Sequence, residues 1–150
     1  MQHIHKYSYI SSERPALLGT IRGGLGHEDV NGTAAIFWLP DSVYFEVQLY
    51  GLPQSEVLGL HIHDGIVCGT AEGEFAAAGS HLSVCPEGTW CDRHPYHAGD
   101  LPPLFGCNGY AMSVFLTDRF LVDDVIGKTL ILHDRPDDFK TQPSGDSGER

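Results

Sequence analysis

Residues 94–100 read HPYHAGD, which sets His94, His97 and Asp100 three positions apart on a stretch that Pro95 and Gly99 keep from being a regular helix. Imidazole and carboxylate are the donors that first-row transition metals take, and on a loop the ion itself can hold such side chains in place. Upstream, VLGLHIHDG carries His61 and His63, and AAGSHL carries His81; downstream, KTLILHD carries His133. Each piece alone has an ordinary explanation. His-x-His is common on half-exposed strands, HPYHAGD taken by itself is a surface loop, and a lone His81 or His133 is more often hydrogen-bonded than metal-bound. Joint occurrence changes the weighing, because the chain has nine histidines in 150 residues and six of them lie in these motifs. A nitrogen-rich donor set with one carboxylate suits copper and zinc better than magnesium or calcium.

The elements that must position these residues read as strands. In VYFEVQLY, Val43, Phe45, Val47 and Leu49 face one way and Tyr44, Glu46, Gln48 and Tyr50 the other. AAIFWL precedes it, and PDS between the two runs is turn chemistry, so 34–50 is expected to be a hairpin. ALLGTI, VLGLHIH, YAMSVFL and KTLILH are further predicted strands, and VDDVI a helical turn. Many short strands separated by Gly, Pro, Asn and Asp predict an all-β sandwich or barrel. Residues two apart share a strand face, so His61 and His63 point together, opposite Leu58, Leu60 and Ile62, onto a wall over which a loop can close. By the same rule Leu130 and Leu132 are expected in the core and His133 on the other face.

Composition bounds the rest. A chain of 150 residues, 41% apolar and without a run of membrane-spanning length, reads as one soluble domain over 1–150. The formal net charge of −11 argues against nucleic acid or an anionic membrane as partner, but a local cationic funnel can still draw in a small anion. MQHIHKYSYISS lacks the charged-then-apolar layout of a signal peptide, so the expected setting is cytoplasmic as written, or extracytoplasmic if a leader has been removed. Cys85 and Cys91 flank the turn-like PEGTW and are close enough in sequence to pair, while Cys107 sits in the predicted hairpin turn FGCNGY. With Cys68, three complete pairings exist, and free thiols fit a reducing compartment equally well.

GLHIHDG, AAGSHL, HPYHAGDLPPL, GKTLILHDRPDD and PSGDSGER stand in the order and local form of the copper/zinc superoxide dismutases, and the chain resembles that family from about residue 16 to residue 150. The resemblance implies a Greek-key β-barrel, or sandwich, with long loops over a binuclear site: residues 1–15 as an N-terminal segment, 64–106 as the disulfide and zinc loop region, and 134–150 as the active-site loop. It implies that His61, His63, His81 and His133 bind copper, and that His81, His94, His97 and Asp100 bind zinc, with His81 bridging. Asp137 resembles the aspartate that links a copper histidine to a zinc histidine, and Arg150 the arginine beside copper that receives the anion. The implied reaction is the disproportionation of superoxide to oxygen and hydrogen peroxide by Cu(II)/Cu(I) cycling. In it His81 leaves copper on reduction and carries a proton, and Lys140 joins Arg150 in focusing the anion.

Three departures from the family pattern stand out. His94 is only three residues ahead of His97, nearer than the first zinc histidine usually is to the second. Cys68 matches the first half of the family disulfide, but the second half would fall beyond Arg150. The final strand would fall there too, which predicts an unpaired sheet edge prone to association, and a homodimer is left open. Two other functions compete: a dismutase-like metal-binding module with little activity, and a zinc hydrolase. The second needs a glutamate paired with an open zinc position, which the sequence does not supply.

Overall fold

The computed structural model describes residues 14–53, 56–67 and 74–150, and among these the chain is built from strands and loops with two short 3-10 turns. The predicted hairpin is strands β2 (Asn31–Leu39) and β3 (Ser42–Tyr50), joined at Pro40–Asp41. Its alternation is realised side chain by side chain: Val43, Phe45, Val47 and Leu49 are buried, and Tyr44, Glu46 and Gln48 are only partly covered. β1 (Leu17–Arg22) pairs with β2, and β7 (Tyr110–Thr117) with β3, giving an antiparallel sheet in the order β1-β2-β3-β7.

The opposite wall is made of two small antiparallel pairs. β4 (Val57–Leu58) meets β6 (Leu104–Phe105), and β5 (Leu60–His63) meets β8 (Thr129–Leu132). Strands distant in sequence thus lie side by side, as Greek-key connections require. Val43, Phe45, Val47 and Leu49 from the sheet, and Leu58, Leu60, Ile62 and Leu104 from the opposite wall, form one core. The predicted turn at VDDVI is a 3-10 turn over Val122–Val125.

Two details differ from the sequence reading. VLGLHIH is two strands, broken at Gly59, where the loop after β8 crosses: Gly59 N–H donates to the Arg135 carbonyl, and a Cβ at Gly59 would meet Ser147 at 3.0 Å. In β8 the residue most deeply buried is Ile131, opposite His61, whereas Leu130 and Leu132 are only partly buried against the core. The reason is that β1 pairs only with β2 and β8 only with β5 among the described residues, so the two free edges face each other across an open seam. Leu17, Ile21, Leu130 and Thr129 line that seam, with Ile36 and Phe45 at its floor.

Candidate metal centre

β5 presents its two faces to two different environments. Leu60 and Ile62 enter the core, while His61 and His63 point to the other side, where loop segments including 79–81, 94–100 and 133–137 meet them and both are essentially inaccessible. Asp100 and His81 dock directly on this strand, forming isolated bridges with His61 and His63 respectively. His133 follows β8 immediately, and its backbone N–H donates to the Gly59 carbonyl. Strand pairing therefore brings His61, His63 and His133 together, and the docked loop adds His81.

Donor atoms of His61, His63, His81 and His133 all lie within 4.8 Å of one another. A second group with the same closeness contains His81, His94, Asp100 and, again, His61. His81 belongs to both, with Nδ1 at 2.6 Å from Asp100 Oδ1 and Nε2 turned the other way without a partner. His97 borders the second group: it is partly exposed, and its Nδ1 approaches Asp100 Oδ2 at 3.1 Å. His94, whose spacing departs from the family layout, is the more deeply buried of the two. Its Nδ1 lies 3.1 Å from Asp100 Oδ1 without hydrogen-bond alignment.

The chemistry of the donor set fits two transition-metal ions. His61 Nδ1, His81 Nε2, His94 Nδ1 and His133 Nδ1 are buried without a hydrogen-bond partner among the described residues. Orphaned buried nitrogens are costly in an apolar interior, and so many in one cluster ask for a shared cation. Their partners on the far side fix which ring nitrogen is free. Asp137 Oδ2 meets His61 Nε2, and Asp137 Oδ1 meets His94 Nε2, each at 2.8 Å, so one carboxylate orients a ring in each group. His63 Nδ1 donates to the Gly79 carbonyl at 3.0 Å, leaving Nε2 to face His133 Nε2 at 3.4 Å.

Electrostatics agree with that division. Burial pushes His63 down to about 3 and His133 down to about 4, and burial with the neighbouring rings takes His61 lower still. Neutral imidazole is the form that binds a metal. Burial would raise the Asp100 carboxyl, but the His81 hydrogen bond and the His81, His94 and His97 rings outweigh it and leave the group lowered.

Arg150 lies beside this cluster. Its Nη1 donates to the Phe75 carbonyl at 2.7 Å and its Nη2 to the Gly79 carbonyl at 2.6 Å, and its charge lowers both His63 and His133. Arg150 and His133 line one cavity of about 290 Å³ together with Arg22 and Phe75. Lys140, which the resemblance groups with Arg150, is exposed, with no ion pair among the described residues. Cys68 lies outside the described residues; Cys85 and Cys91 form a disulfide, and Cys107 is exposed with no partner among those residues.

Several supports carried no sequence signal. Gln142 clasps His94, its Nε2 donating to the His94 carbonyl at 2.6 Å while its Oε1 accepts the His94 N–H at 3.2 Å. Gly145, at φ +70°, packs so close that any Cβ would collide with the Asp137 carboxylate. The Gly79 carbonyl serves both His63 and Arg150, and a backbone oxygen leaves no mark in a sequence.

The profile of the copper/zinc superoxide dismutase family matches residues 30–150. The chain belongs to that family. It is 32% identical over 135 residues to a Cu-Zn superoxide dismutase of Deinococcus radiodurans, covering 81% of this chain and 74% of that one. A second Cu-Zn superoxide dismutase, from Aquifex aeolicus, is 28% identical over 137 residues, with 81% and 76% covered. In fold the chain is similar to the Cu/Zn superoxide dismutase of Brucella abortus (TM-score 0.65, 23% identity, 88% and 93% covered). A SOD-like protein of Bacillus subtilis gives the same TM-score, 0.65, at 23% identity, with 87% and 91% covered.

Proposed function

We propose that this chain disproportionates superoxide: two superoxide anions and two protons give one oxygen and one hydrogen peroxide. The observation that supports it most is the pair of buried donor groups that share His61 and His81, with the two His81 ring nitrogens turned to different sides, Nδ1 to Asp100 and Nε2 away from it. Copper bound by His61, His63, His81 and His133 would supply one-electron exchange between Cu(II) and Cu(I), and zinc bound by His81, His94, His97 and Asp100 would stay at one oxidation state.

The chain's own residues supply the rest. Arg150, held by two carbonyls next to His63, offers a planar cationic fork to a small anion at the mouth of the cavity it shares with His133. That local charge draws superoxide in against the acidic surface. Asp137 holds His61 and His94 in one tautomer and orientation. His81 Nε2 is the atom that holds and delivers a proton to the product, while its Nδ1 remains on the Asp100 side.

Self-association belongs to the same reading. The outer face of β7 carries Tyr110, Met112, Val114 and Leu116 in an exposed apolar row, with Phe105 and Tyr50 beside it, which suits an isologous contact between two copies. The decisive experiment loads the metal-free protein with copper and zinc, counts both, and records superoxide consumption and the copper electron paramagnetic resonance spectrum. One copper and one zinc per chain with rapid consumption support the proposal. Copper well below one equivalent with no consumption identifies a metal-binding module instead.

A further inference from the structure

The segment from Pro95 to Asp100 turns polar groups in two directions. Inward, the His97 N–H donates to Asp100 Oδ2 at 2.9 Å, which fixes the carboxylate against its own loop. Outward, three carbonyls of the same segment converge on one side chain. Arg119 Nη1 donates to the Asp100 carbonyl at 2.9 Å and to the His97 carbonyl at 3.3 Å, and Nη2 donates to the Pro95 carbonyl at 3.2 Å.

Arg119 is well placed to act as a clamp. It sits on the link between β7 and the turn at Val122–Val125, its N–H donates to Thr117 Oγ1, and its neighbour Phe120 is buried in the core. The guanidinium makes no ion pair with a carboxylate among the described residues, so its planar fork serves these carbonyls. No hydrogen bond connects it to β5, β8 or His133. A guanidinium can present several donors in a fixed plane, which an ammonium cannot.

We infer that Arg119 is a positioning residue for the zinc side of the centre: by gripping the carbonyls of Pro95, His97 and Asp100 it fixes the loop from which His97 and Asp100 reach the ion. The inference rests on the zinc assignment of the preceding section. It concerns a side chain that touches no donor atom and lies on a different element from the ligands.

The test measures Zn2+ affinity of the full chain by competition with a chromophoric chelator, Cu2+ affinity in the same way, and the visible spectrum after Co2+ replaces zinc. Partners of metal ligands typically change affinity by about 10- to 100-fold when removed. Arg119→Met is therefore expected to weaken Zn2+ by about 10-fold or more. It should alter the Co2+ bands and leave Cu2+ affinity within about 3-fold, a margin well below that range. Arg119→Lys, which keeps the charge but loses the fork, should resemble the Met variant more than the parent. Unchanged Zn2+ affinity, full recovery by Lys, or an equal loss of both metals with a lower melting temperature of the metal-free protein would each overturn the clamp. The Asp100→Ala chain is the control: if it binds Zn2+ as the parent does, the zinc assignment itself fails, and the clamp with it.

Discussion

The two halves of the centre are built on different principles. His61 and His63 lie on β5 and His133 directly follows β8, so antiparallel pairing alone sets their spacing, and core residues Leu60 and Ile62 lock the strand that carries them. His94, His97 and Asp100 belong to an irregular segment, held by the Gln142 clasp on His94, the Arg119 fork, and the Asp137 bond shared with His61. A strand delivers its side chains through a repeating backbone ladder; a loop needs each of its polar groups satisfied one at a time. Under the proposed function, the copper half thus stands on paired strands and the zinc half on an irregular segment.

Paired substitutions break that comparison most severely. His133→Ala should abolish copper binding at the site and reduce superoxide consumption to background while zinc stays at one equivalent; Asp100→Ala should strip zinc and spare more of the copper. Metal counts on the two variants check this, and loss of both metals from both variants would mean the halves are one unit.

Acid should act on the strand-borne half of the metal-free protein next. His63 and His133 are held neutral down to about 3 and about 4, whereas in the unfolded chain they take up protons near pH 6.5. Below that pH the unfolded state binds more protons than the folded one, so stability present at neutral pH is lost on acidification, until the folded rings themselves protonate. Each such proton contributes a slope of about 1.4 kcal/mol per pH unit. Urea unfolding of the metal-free protein at pH 7, 6 and 5 should show a falling midpoint, and a flat profile would contradict the buried neutral rings.

Asp137→Asn touches both halves at once. An amide cannot accept from both rings, so affinity for both metals should fall by about 10- to 100-fold, measured by chelator competition. A loss confined to one metal would show that only one of the two hydrogen bonds matters. The smallest effect is expected from Cys85→Ser with Cys91→Ser. Opening so short a loop should cost about 2 kcal/mol of stability and shift Zn2+ affinity more than Cu2+ affinity, because the bridge lies in the segment leading to His94. Thermal unfolding alongside the chelator titrations checks both parts.

The same contrast explains what was legible in the sequence. Val43 to Tyr50 showed their strand through strict alternation, and His61 with His63 showed a shared face, because a period of two maps one-to-one onto a pleated backbone. The approach of His81 and Asp100 to β5 was readable only through family resemblance, since no local rule docks a loop on a strand. Gln142, Arg119 and the Gly79 carbonyl stayed hidden because they act through main-chain oxygens, which every residue type presents alike. Leu130 and Leu132 are less covered than the alternation suggests for a related reason: how far that face of β8 is covered depends on a neighbour on each side, and among the described residues β8 pairs with β5 alone.

A single main-chain oxygen, that of Gly79, receives both the His63 ring and the Arg150 guanidinium. Under the proposed function, the cation that receives the anion and one copper ligand are thereby tethered to one common post. Whatever displaces that one oxygen disturbs both partners at once.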